Sequence, residues 1–479
     1  MIIPLGLSYD DVLLIPQKTD ISSRSQVDIS SNLTKNIRLN TPIVSANMDT
    51  VTESEMAISM AMLGGIGIIH RFLTIEEQVV EVARVKRHDG FSIDEPRTIL
   101  GDETLENVWN LMRLYGNTGF VVTNDKQKVL GVLSERDILF EKNKTSKVSE
   151  LMTPLSKLIT IGPGVTRERA KELFRKYKIE KLPIIDKKGT LLGLITARAI
   201  LNEQKYPKSS KDSRGRLLVG AAVGIKEEDK ERTKELVKNG VDVIVIDIAH
   251  GHSDSVIEMT KYIKKHFSVE VISGNIATPE GVKDLALAGA DGIKVGIGAG
   301  SVCITRIVAG SGYPQFSAVQ NCAVMGKKLK VPIVADQSIR AGGDVVKALG
   351  AGGSTVMVGS LLAGTEESPG VVVTRNGKKY KVTRGMASSG ANVSRKMKTD
   401  SSDKVLEQLK EYVAEGVEAM VPLRGKTEEI INQLTGGLRS GMSYCGAHNV
   451  SELQKKAKFV QITSAGIKES LPHDVEVMG

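Results

Sequence analysis

The chain has 479 residues, 41% of them hydrophobic and 25% charged, with 65 lysines and arginines against 56 acids and a net charge of +9. That length can bury a large core, while no stretch approaches the ~18 uninterrupted apolar residues of a membrane span, so no membrane association is expected. The basic residues are spread along the chain, denser only at 205–216 and 455–458, and aromatics are just 4%, which leaves a nucleic-acid groove without stacking partners and excludes that class.

In chain order, strand-like apolar runs fall at 42–48, 65–70, 217–223, 241–247, 269–275, 292–298, 331–336 and 354–360. Amphipathic helices are expected between the later ones, at 226–239, 279–288 and 343–349. Eight buried strands alternating with helices predict an α/β protein built on a parallel (β/α)8 barrel, with a doubly wound open sheet as the alternative. A barrel places its site at the C-terminal strand ends, here Met48, Asp247, Asn275, the loop 296–305, Asp336 and Gly359-Ser360.

The barrel pattern breaks after the second strand. Val129-Leu130-Gly131-Val132-Leu133-Ser134-Glu135-Arg136-Asp137 is repeated as Leu191-Leu192-Gly193-Leu194-Ile195-Thr196-Ala197-Arg198-Ala199, each copy preceded by a strand and a polar turn. Two tandem copies should pair into one module. The expected organisation is barrel over 1–92, inserted module over 93–204 and the rest of the barrel over 205–479. Within that last part, 371–382 reads as a hairpin turning at Asn376-Gly377, and 385–423 is polar enough for a mobile flap, giving a finger and flap over 371–425.

The loop after the sixth strand is Gly296-Ile297-Gly298-Ala299-Gly300-Ser301-Val302-Cys303-Ile304-Thr305. Its alternating glycines can take positive φ and turn amides toward an anion, and Cys303 could attack an electrophilic carbon of a phosphate-bearing substrate. With Cys322 and Cys445 it makes three scattered cysteines, too few for a disulfide framework and without a CxxC zinc pattern, which fits a reducing compartment. The terminal segments Met1-Ile2-Ile3-Pro4 and Val477-Met478-Gly479 read neither as a secretory leader nor as a peroxisomal address, and a cytoplasmic location is expected.

Ordered motifs along the chain are Tyr9-Asp10-Asp11-Val12-Leu13-Leu14, Met48-Asp49-Thr50-Val51-Thr52-Glu53, the 296–305 loop, Arg384-Gly385-Met386 and Gly436-Gly437-Leu438-Arg439-Ser440. Together they resemble the IMP dehydrogenase/GMP reductase family. The resemblance implies that Cys303 attacks C2 of a purine 5′-monophosphate, with Thr305 as relay and Glu415 as proton source. It implies a phosphate site at Ser301, Gly343, Gly359 and Ser360, ribose contacts at Asp336, and further substrate contacts at Gly385 and Met386. The nicotinamide cofactor would lie along Asp247, His250, Ser253, Asn275 and Gly298, and a potassium ion on the carbonyls of Gly298, Gly300 and Cys303. The inserted repeat resembles a cystathionine-β-synthase-type (CBS) pair, which implies a regulatory purine nucleotide at Ser134 and Asp137. The second copy has Thr196 but Ala199 in place of the carboxylate, and a purely structural pair is the alternative. A homotetramer or octamer is expected.

Several residues depart from the pattern. Asp336-Gln337-Ser338 stands where the family carries Asp-Gly-Gly, which weakens a close backbone approach to the phosphate while the Ser338 side chain could donate to it, and Thr383 replaces a tyrosine. In the flap, Lys404-Val405 stands where dehydrogenases carry an Arg-Tyr pair that activates water. Asp247-Ile248-Ala249-His250-Gly251-His252-Ser253 and Pro422-Leu423-Arg424-Gly425 resemble reductases instead. The expectation is an NADPH-dependent GMP reductase. The alternatives are an NAD-dependent IMP dehydrogenase, and a catalytically retired nucleotide sensor.

Overall fold

In a computed structural model, residues 3–88, 96–116, 118–397, 412–472 and 475 are described. Eight parallel strands close into a barrel: β1 (Ile43–Ser45), β2 (Ile66–Ile69), β3 (Gly220–Val223), β4 (Val243–Asp247), β5 (Glu270–Ile276), β6 (Gly292–Val295), β7 (Ile333–Asp336) and β8 (Thr355–Val358). Closure is by β8 on β1, with Met357 opposite Val44, and the expected (β/α)8 fold is what forms rather than an open sheet.

The strands are mostly apolar because both faces are covered. Val243 and Val245 point into the barrel with Ile66, Ile68, Ile272, Val334 and Met357, while the alternating Ile244 and Ile246 are equally buried on the other face. Leu33 and Leu39 pack against the same interior cluster. Each such side chain contributes about 1.5–3 kcal/mol on leaving water. The intervening helices follow local rules. In Pro279–Leu287, Thr278 Oγ1 accepts the Gly281 N–H, proline opens the first turn, and Val282 and Leu285 face inward.

The hairpin is Val372–Arg375 against Lys378–Arg384, turning through Asn376 and Gly377 at φ 51° and 73° as its Asn-Gly signal predicts. A third strand, Glu418–Pro422, pairs with Lys378–Arg384. This corrects the reading of 385–423 as flap: its described parts include that strand and the helix Ser389–Lys396. The strand was missed because an exposed, short edge segment is held by backbone pairing and needs little apolar patterning of its own.

The chain divides into two compact units, one of Met1–Val85, Lys208–Ser210 and Leu218–Gly479, the other of Lys86–Pro207 and Lys211–Leu217. The second unit shows its repeat in three dimensions. The helices Leu105–Tyr115 and Arg167–Tyr177 are both capped by a threonine, Thr104 and Thr166, and both end in a left-handed residue, Gly116 and Lys178. Each copy has its own core, and Val121, Val129 and Val132 of the first meet Leu194 of the second in a shared one. No helix among the described residues is long and apolar enough to cross a membrane.

Candidate active site

At the C-terminal ends of the barrel strands lies a cavity of about 650 Å³. The loop after β6 forms one wall, and two of its glycines are sterically required. A Cβ on Gly296 would meet the Asp336 carbonyl oxygen at 2.1 Å, and Gly298 has φ 76°. The loop delivers Cys303, whose sulfur lies 3.2 Å from Thr305 Oγ1, and Thr305 in turn donates to Glu415 Oε2 at 2.8 Å. A threonine hydroxyl has one hydrogen. With that hydrogen on Glu415, the sulfur is the donor at the other contact, so the relay runs from thiol through hydroxyl to carboxylate.

Glu415 reaches this place through backbone pairing across a long sequence gap. Ile304 N–H donates to the Glu415 carbonyl at 2.8 Å, Glu415 N–H to Ala387 at 3.1 Å, and Val417 N–H to Val302 at 3.0 Å. The Arg384–Ala387 segment on its far side is anchored by Arg384, whose Nε and Nη2 both donate to Asp49 Oδ2 at 2.9 and 2.6 Å. This ion pair joins the Met48-Asp49 and Arg384-Gly385-Met386 motifs.

Ser301, Asp336, Ser338, Gly359, Ser360, Gly385 and Met386 line the cavity, whereas Gly343 is exposed outside it. Ser338 Oγ donates its hydrogen to the Ala299 carbonyl at 2.8 Å, so it has no hydroxyl proton left for a phosphate. Thr383 is buried with its hydroxyl 3.2 Å from that of Thr50, away from the cavity wall. Arg340 is held by Asp10 in a bidentate pair at 2.9 and 2.5 Å, which accounts for the Tyr9-Asp10 motif.

Deeper in, Lys294 of β6 stands between Asp247 and Asp336, 3.2 Å from each, with its side chain only 3% exposed. Burial alone would lower the Lys294 pKa, but Asp336 and Asp247 outweigh it and hold the ammonium above its ordinary value. Conversely, burial would raise the carboxyl of Asp247, and the cations of Lys294 and Arg71 hold it below the usual carboxylate range. Asn275 donates through Nδ2 to the Gly296 carbonyl at 2.7 Å and to Asp336 at 2.8 Å, leaving its buried Oδ1 without a partner.

Of the residues expected at the cofactor end, Asp247, Asn275 and Gly298 line the cavity, but His250 is exposed and neither it nor Ser253 does. Sequence reasoning missed Arg71, Phe72, Arg395 and Tyr412, all in the wall. The guanidinium carbons of Arg71 and Arg395 lie 5.6 and 5.3 Å from the Phe72 ring centroid, and neither arginine has an ion pair among the described residues. Lys294 did carry a signal, a charge inside an otherwise apolar strand. The Lys404-Val405 position lies outside the described residues. In the second unit, Ser134 N–H and Oγ both donate to Asp137 Oδ2 at 2.7 Å, a capping box at the helix Glu135–Ile138.

Fold and site define a (β/α)8 barrel with a cysteine held over its mouth. The IMP dehydrogenase / GMP reductase domain matches residues 6–473, and the chain belongs to that family of oxidoreductases. It is 50% identical over 474 residues to inosine-5′-monophosphate dehydrogenase of Nitrosopumilus maritimus, covering 99% of both chains. It is 47% identical over 483 residues to GMP reductase of Leishmania donovani, covering 99% of this chain and 98% of that one. Among solved structures, GMP reductase from Trypanosoma brucei in complex with guanosine 5′-monophosphate superposes with a TM-score of 0.90 at 44% identity, covering 99% of both chains.

Proposed function

We propose that the protein is a GMP reductase, converting GMP and a reduced nicotinamide dinucleotide to IMP and ammonia. One observation carries the direction. The relay from Cys303 through Thr305 to Glu415 suffices to move a proton onto a departing amine, whereas hydrolysis of the same adduct needs a base for water. Lys404-Val405 stands where the resemblance puts that base, and a lysine of ordinary pKa near ~10.4 serves poorly at neutral pH.

The thiol proton of Cys303 passes through Thr305 to Glu415 as sulfur bonds to C2 of GMP. The same proton returns by the same route to the 2-amino group, which leaves as ammonia as its bond to C2 breaks. When bound, the cofactor supplies hydride to C2. The thiolate is then expelled, giving IMP, and recovers a proton from solvent through the relay. The unpartnered Oδ1 of Asn275 fits a carboxamide N–H, and the unpaired Arg71 and Arg395 fit a dinucleotide with an extra phosphate, favouring NADPH. The Gly298 and Cys303 carbonyls, which accept no backbone hydrogen bond among the described residues, suit a potassium ion, while the Gly300 carbonyl accepts the Cys303 N–H at 3.1 Å and has one lone pair to spare. Resemblance supports a CBS-type regulatory module in the second unit, binding a purine nucleotide at Ser134 and Asp137, and a homotetramer or octamer in the cytoplasm.

The test is to mix the protein with GMP and NADPH and follow nicotinamide absorbance with ammonia release. Both should change together, and IMP with NAD should give XMP at a rate lower by about 10²–10⁴-fold. The relatives named as IMP dehydrogenases, at 50–51% identity, favour the second reading. Robust XMP formation without ammonia release would establish it.

A further inference from the structure

We infer that Gln337 and Ser338 are positioning residues, a two-point clamp that holds the Cys303 loop by the peptide groups of Ala299. Both residues lie in the left-handed region, at φ 91° and 61°, where a side chain strains the backbone and glycine does not. Each side chain nevertheless finds the same residue across the cavity mouth. Gln337 Oε1 accepts the Ala299 N–H at 2.6 Å, and Ser338 Oγ donates to the Ala299 carbonyl at 2.8 Å. One residue of the neighbouring loop is thus held through both of its backbone polar groups.

The base of the clamp is itself fixed. The Arg340 N–H donates to Asp344 at 2.9 Å, and its guanidinium is paired with Asp10. On the other side the constraint passes toward the sulfur. The Cys303 N–H donates to the Gly300 carbonyl at 3.1 Å, and a Cβ on Gly300 would stand 3.3 Å from Cys303 Cβ. The placement of the thiol 3.2 Å from Thr305 therefore depends on where Ala299 is held. Local strain is retained at a site when it fixes geometry that the reaction uses. Ser338 then acts through the loop and not on a phosphate, and Gln337 acts as an acceptor for which glycine has no substitute.

This inference rests on Cys303 being the nucleophile, and the experiment separates the two. Full-length Gln337→Gly, Gln337→Met, Ser338→Gly and Cys303→Ala variants are compared with the parent in thermal unfolding, steady-state kinetics in whichever direction the parent turns over, and iodoacetamide alkylation across pH. Cys322 and Cys445 are buried, so the reagent reports on Cys303. Glycine relieves the strain, so Gln337→Gly and Ser338→Gly should melt at or above the parent temperature. They should lose about 10–100-fold in kcat while KM for the nucleotide stays within about threefold, and their rate of alkylation at Cys303 should change. Gln337→Met keeps the side-chain volume without the acceptor and should be slowed alike. Glycine and methionine variants with parental kcat and alkylation, beside an inactive Cys303→Ala, would overturn the clamp alone. Slowing matched by a fall in melting temperature and an equal rise in KM would also overturn it, in favour of a merely structural pair. An active Cys303→Ala would overturn the nucleophile reading and the clamp with it.

Discussion

Lys294 holds two carboxylates together inside the barrel, where Asn275 also donates to Asp336. The raised pKa of Lys294 contributes stability that is full below the ordinary lysine value and lost as pH rises through the higher folded one. The lowered pKa of Asp247 contributes stability that is full above the ordinary aspartate value and lost as pH falls through the lower folded one. From about pH 5 to pH 9 both are therefore in force. Lys294→Met should cost about 3–5 kcal/mol at neutral pH, because it removes the buried ammonium that lies between Asp247 and Asp336. The deficit should shrink toward pH 4–5 as a carboxylate takes up a proton. Denaturant melts at the two pH values check this, and a deficit independent of pH would show that packing alone was lost. Arg395 offers a second test at this scale. If it meets the extra phosphate of NADPH, Arg395→Ala should raise KM for NADPH by about tenfold or more and leave KM for NADH within about twofold, since a charge-assisted contact exists only with the first.

Among the elements, the Glu415–Val417 segment depends most on its neighbours. It is held between the 302–304 and 385–387 backbones, so its carboxylate position is set by two strips of chain that must keep their spacing. A Cβ added at Gly385 would come 2.8 Å from the Val302 carbonyl oxygen and 3.1 Å from Gly416 Cα, both backbone atoms that cannot swing away. Gly385→Ala should therefore push the segments apart. A displacement near 1 Å costs about 10²-fold in turnover, with little change in melting temperature expected because the barrel core is untouched. Pre-steady-state ammonia release reads the effect directly. Tyr412 belongs to the same arrangement, donating to the Ala387 carbonyl at 2.8 Å. Burial, with a further contribution from Glu415, raises its phenol above the ordinary tyrosine range despite Arg395, so it stays a donor at neutral pH.

For the whole molecule, the division into two compact units matters more than any single contact. The cavity-lining side chains all belong to the unit that contains the barrel, and the repeat belongs to the other. Replacing 93–204 with a short Gly/Ser bridge should leave GMP turnover within about threefold and abolish any response to added ATP or GTP. Nucleotide titrations of the parent and excised proteins, with sedimentation to check assembly, decide the matter. A folded excised protein without activity would instead give the insert a share in building the site. The proposed boundary near 92 lies outside the described residues.

The barrel was legible from sequence because a parallel strand buried on both faces is apolar along most of its length, and eight such runs alternating with helices match a closed barrel. The Cys303–Thr305 contact was legible too, since two residues in one glycine-rich loop are neighbours by covalent connection. The Asn-Gly turn was equally local. Resemblance named Glu415, but only the folded chain placed it against Thr305, through backbone pairing that no local pattern encodes. The same is true of Arg395, which comes from a segment far from Arg71-Phe72 and meets them at the wall. Gln337 and Ser338 read as a departure that weakened a phosphate cradle, and the tertiary structure gave them another partner in Ala299. Sequence by itself determined the elements whose causes are local, namely burial pattern, turn chemistry and capping. The tertiary structure alone decided which polar groups face one another, because hydrogen bonds are satisfied by whatever the closed barrel brings within 3 Å.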